Sequence, residues 1–129
     1  MLNGLFVDEK GTMRIRRGDS GSFELKGIPT DKSYKVYFAI YDPVTGEIVS
    51  PELTLQSNSA PEVTVNFSVD FTNSLEGAEK GRRYSYAIKL CDGDKEETVV
   101  PSVVKDSRGI SFMQKQPDFV VYSAKVEGV

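Results

Sequence analysis

Apolar and polar residues alternate with a period of two through most of this chain, the signature of half-buried strands. The pattern is cleanest in EVTVNFSVDF, where Val63, Val65, Phe67, Val69 and Phe71 alternate with Glu62, Thr64, Asn66, Ser68 and Asp70. RRYSYAIKL repeats it with Tyr84, Tyr86, Ile88 and Leu90. SYKVYFAIYD sets Tyr34, Val36, Phe38 and Ile40 on one side. Its other side, Tyr37, Ala39 and Tyr41, is also largely apolar, which predicts a strand central in its sheet. Turn chemistry falls between the runs. DPVTGE and CDGDKE read as hairpin tips, and KGIPTDK and QSNSAPE as polar loops. Strands are expected over 12–17, 20–26, 33–42, 47–56, 62–71, 82–91, 95–103 and 118–127. Short strands at this spacing predict an all-β antiparallel sandwich of about seven to nine strands.

One short helical turn is expected in TNSLEG, capped by Thr72. VVKDSRGISFMQKQ alternates only weakly and reads as a long excursion, with a short strand at Ile110–Met113. The length of 129 residues suits one domain and can bury roughly two-thirds of the unfolded surface. Residues 1–11 are expected to form a flexible N-terminal segment and 12–129 the sandwich.

RIRRGDSGSFEL, residues 14–25, overlays two known signals: Arg17-Gly18-Asp19, the tripeptide that integrins read, and Gly18-Asp19-Ser20-Gly21, which is similar to the nucleophile motif of chymotrypsin-like proteases. A nucleophilic Ser of that kind hands its proton to a His. The sequence has no His, so the protease reading of Ser20 fails on chemistry. Turn chemistry explains the same letters: Gly18 supplies a backbone conformation that other residues avoid, and Asp19 is expected to bond nearby backbone.

Sixteen basic and 19 acidic residues are dispersed along the chain, for a net charge of −3. No basic stripe is present to neutralise phosphates, so nucleic acid is not an expected partner. No run approaches the ~18 apolar residues of a membrane span, and MLNGLFVDEKGT lacks the charged and apolar regions of a secretory signal, so a soluble protein made in the cytoplasm is expected. The single Cys91 excludes an internal disulfide and reads as a small hydrophobe. Asp92, Asp94, Glu96 and Glu97 crowd one turn but lack the EF-hand spacing, so no metal or other cofactor is expected. Tyr37, Tyr41 and Tyr122 could present a flat aromatic platform to sugar, although tyrosine in strands usually serves sheet packing.

Several stretches also occur in a familiar order: IRRGDSGSFEL, YKVYFAIYDPVTGEIV, VNFSVDFTNSLEGAEKGRRYSYAIKL, DGDKEETVVPS and PDFVVYSAKVEG. Together they resemble the small Ig-like domains of tailed-phage and prophage structural proteins, similar to the N-terminal domain of baseplate upper proteins. The resemblance implies an Ig-like sandwich without catalysis, located in a virion, whose partners are itself or neighbouring virion proteins. The alternative is a bacterial cell-surface Ig-like module for adhesion or glycan binding. In DFVVYSAKV, the apolar run containing Phe119, Val121 and Tyr122 is expected to form an exposed edge and a partner interface.

Overall fold

The computed structural model describes residues 2–100 and 117–124. Among the described residues, nine strands and one short helix follow one another: β1 (Phe6–Val7), β2 (Met13–Arg16), β3 (Gly21–Lys26), β4 (Lys35–Tyr41), β5 (Leu53–Gln56), β6 (Glu62–Phe67), α1 (Val69–Asn73), β7 (Arg82–Asp92), β8 (Lys95–Val100) and β9 (Asp118–Tyr122). The protein is all-β, as its alternation predicts. One sheet runs β1-β2-β9-β7-β4-β5, with β8 also paired to β7, and a second contains β3 and β6. The strands β9-β7-β4-β5 of the large sheet lie opposite β3-β6, the layering of a β-sandwich.

β7 organises the large sheet. Along one side it pairs with β4 from Lys35↔Cys91 to Tyr41↔Ser85. Along the other, its first residues pair with β9 and its last with β8. The hairpin to β8 closes at Asp92↔Lys95 over Gly93, whose φ of +59° lies in the left-handed region. β2 lies parallel to β9, from Met13↔Phe119 to Arg16↔Tyr122, so the sheet is mixed rather than wholly antiparallel. The two strands come from opposite ends of the chain, which frees them from the antiparallel sense that a hairpin imposes.

The core lies between the two sheets. Phe38 stands at its centre, within 5.2–6.4 Å of the rings of Phe23, Phe67, Tyr86 and Phe119. Val36, Ile40, Val65, Met13, Ile15 and Leu75 complete it. Each such side chain contributes about 1.5–3 kcal/mol by leaving water.

Four expectations need correction. The alternation through 62–71 overshoots: the strand ends at Phe67, and Ser68 caps a helix by accepting the Phe71 amide at 3.1 Å. Phe71 is buried either way, but Val69 turns out to solvent. Thr72, expected to cap the helix, sits inside it and is fully buried. Residues before 12 belong to the domain. Leu5 is buried, the Gly4 amide donates to the Ser20 carbonyl at 2.8 Å, and β1 pairs with β2. The fourth correction concerns β9. It is an interior strand with a neighbour on each side, and Phe119 and Val121 are completely buried. Its unbroken apolar run reflects burial on both faces, since Val120, on the opposite side, is also buried. The expected strand at Ile110–Met113 falls outside the described residues.

Candidate binding face and the Arg-Gly-Asp turn

The chain reverses between β2 and β3 at Gly18, whose φ is +90°. The turn is tied to α1 by a set of hydrogen bonds. The Gly18 amide donates to the Thr72 hydroxyl at 3.1 Å, and that hydroxyl donates to the Asp19 carbonyl at 2.8 Å. The Arg17 guanidinium donates to the carbonyls of Asn73 at 2.9 Å and Leu75 at 3.0 Å, and the Arg17 amide to the carbonyl of Tyr122 at 2.8 Å. A cation at the carbonyl end of a helix is favourably placed. Arg17, Gly18 and Thr72 therefore fasten three elements together, and the Arg17 head is held against protein carbonyls.

Ser20 is exposed and opens onto a cleft of about 610 Å³ that also includes Ser22, Ser68, Asp70 and Phe71. Three serines and the carboxylates of Asp70 and Glu52 share this space, and the sequence holds no imidazole to pair with a serine hydroxyl.

Two of the four acidic residues that looked like candidate ligands are engaged elsewhere. Asp92 pairs with Lys32 at 2.6 Å and Glu96 with Lys89 at 3.0 Å. Among the described residues, no group of three or more His, Cys, Asp or Glu side chains is placed to hold a metal. Asp42 organises the β4–β5 connection by accepting the amides of Val44 and Thr45 at 2.8 and 3.2 Å. Those two backbone bonds hold its carboxyl below the usual carboxylate range. At Asp8, burial alone acts upward, but hydrogen bonds from Arg14, Thr12 and Lys10 outweigh it and the carboxyl also lies below the usual range.

A second recess lies on the outward face of the large sheet. Residues 35, 37, 39 and 41 of β4 face away from the core, beside Ala87, Lys89 and Cys91 of β7. They line a groove of about 470 Å³ that Glu52, Ile48 and Glu96 border. Ala39 and Ala87 are direct neighbours, and their small side chains form a hollow between the larger Tyr37 and Tyr41. The β4–β5 connection beside it exposes Val44 at 90% and Ile48 at 59%. Of the three tyrosines considered for a platform, the structure brings Tyr37 and Tyr41 together. Tyr122 lies on β9, two strands away, beneath the Arg16 guanidinium at 5.8 Å. The groove was half visible in the sequence, as the apolar second face of residues 37–41. Glu52 and Ile48 gave no signal, because the fold brings them there across a loop.

No family model and no curated protein matches this chain. Among the described residues, no helix is long and apolar enough to cross a membrane.

Proposed function

We propose that the chain is a non-catalytic assembly or binding module, a structural component of a phage or prophage virion in the tail, baseplate or fibre region. The observation that carries this reading is the outward face of the β4–β7 sheet, where aromatic and small residues form a groove beside an apolar connection that is open to solvent. A face of this composition on a rigid sandwich is suited to holding another protein. The resemblance of the chain to tailed-phage Ig-like domains supplies the setting. The polar residues of the Arg-Gly-Asp turn support the same reading, because their bonds serve the fold.

Deleting the coding sequence and imaging the particles by negative-stain electron microscopy tests this. Particles with incomplete tails or baseplates are expected, and normal infectious particles would refute the proposal. Peptide or ester hydrolysis that disappears in Ser20→Ala would refute its non-catalytic part.

A second reading, a cell-surface adhesion or glycan-binding module, rests on Tyr37 and Tyr41 in the groove, since aromatic rings stack on sugar faces. Saccharide binding that is lost in Tyr37→Ala and Tyr41→Ala would favour it.

A further inference from the structure

We infer that the groove on β4 and β7 is the docking surface for a second copy of this chain, joined face to face about a two-fold axis. This inference rests on the assembly reading above and names its partner. Outward-facing residues form rows across the sheet. At one level Lys35 stands beside Cys91 and Gln56. Two residues along, Tyr37 stands beside Lys89 and Thr54. Two further, Ala39 stands beside Ala87, flanked by Glu52, which precedes the Leu53 paired with Phe38. Lys35 and Glu52 are both exposed, and among the ion pairs of the described residues neither takes part.

These rows are self-complementary. A two-fold axis lying in the interface and crossing β4 at Tyr37 places each copy's Lys35 over the other copy's Ala39 and Ala87. The Lys stem covers the alanine floor, while its ammonium lies beside Glu52 and between the tyrosine rings. Lys35 and Ala39 are four residues apart, about 13 Å along a strand, so the two contacts stand on either side of the axis without interfering. The same operation repeats the contact, Tyr37 meets its own counterpart at the axis, and Lys89, on the same row, faces its counterpart with its charge held by Glu96 at 3.0 Å. An isologous interface requires such a surface, in which each copy offers both the knob and the hollow. The hollow thus takes a cation on an aliphatic stem, and the same face supplies one at the matching distance.

Charge reversal tests the inference. Lys35 and Glu52 are exposed, so Lys35→Glu and Glu52→Lys should leave melting temperature and circular dichroism unchanged. Sedimentation velocity at low salt, from about 1 μM to about 1 mM, spans the affinities of small interfaces. The wild-type chain is expected to dimerise, and each single variant to lose at least about tenfold in affinity through like-charge contacts. An equimolar mixture of the two variants should recover a heterodimer, because each supplies the charge the other needs. A wild-type chain that stays monomeric across the range would overturn the inference. So would dimers indifferent to both reversals, or a mixture that stays monomeric. A monomeric chain that still enters particles would overturn this inference alone. A reversal-sensitive dimer absent from particles would support it and refute the virion reading.

Discussion

Truncating Phe67 to alanine is the most demanding test of the packing. Phe67 is 1% exposed, and its ring lies 5.2 Å from Phe38, 5.1 Å from Phe71, 5.6 Å from Phe119 and 5.9 Å from Phe23. It thus joins the small sheet to the large one and both to α1. Returning so large an apolar side chain to water in the unfolded state removes about 2–3 kcal/mol of stabilisation. The void left behind is on the order of 100 Å³, which at about 24 cal/mol per Å³ adds roughly 2 kcal/mol. Neighbouring rings can tilt inward and recover part of this, so Phe67→Ala should cost about 4 kcal/mol. For a domain of this size the melting temperature should fall by roughly 15 °C. Urea unfolding followed by far-ultraviolet circular dichroism reads the loss as a lower midpoint at unchanged slope. A loss below about 1 kcal/mol would show that Phe67 does not bridge the sheets and that β6 presents its other face to the core.

Three further outcomes follow from the turns and caps. Gly18→Val should cost about 1–3 kcal/mol in urea unfolding, because a β-branched residue is forced to a φ of +90° while the nearest obstructing atom is a tolerable 3.5 Å away. An unchanged midpoint would show that the turn relaxes freely. Ser68→Ala should cost about 1 kcal/mol by removing the cap of α1, whereas Ser20→Ala should alter stability little. Equal losses in both would refute the capping role. Asp42 and Asp8 have folded pKa values below the ordinary 3.8, so their stabilisation is complete above that value and is lost as pH falls through the lower folded one. Asp42→Asn should therefore flatten the acid limb of a stability–pH profile, and an unaltered limb would refute that assignment.

Local signals in the sequence were sufficient wherever local chemistry decides the structure. Alternation located β4, β6 and β7, and Asp92-Gly93 marked the tightest hairpin. Alternation failed at Ser68, where a polar residue that fits a strand's outer face also fits a helix cap. Phe67 and Phe71 lie four residues apart, a spacing that keeps both inward under either period. The interior position of β9 was hidden because its parallel partner, β2, lies about a hundred residues earlier in the chain, and an apolar run looks alike whether it is covered by protein or open to a partner. The groove was legible only through β4. Its hollow depends on the register that sets Ala39 beside Ala87, and its acidic border depends on a loop that returns Glu52 to the same face.

Quantitative mass spectrometry of density-purified phage particles, set against the lysate from which they were taken, tests the assembly role most directly. The account predicts that the chain is enriched in the particles at a fixed ratio to the tail proteins. A chain abundant in the lysate and missing from the particles would contradict it.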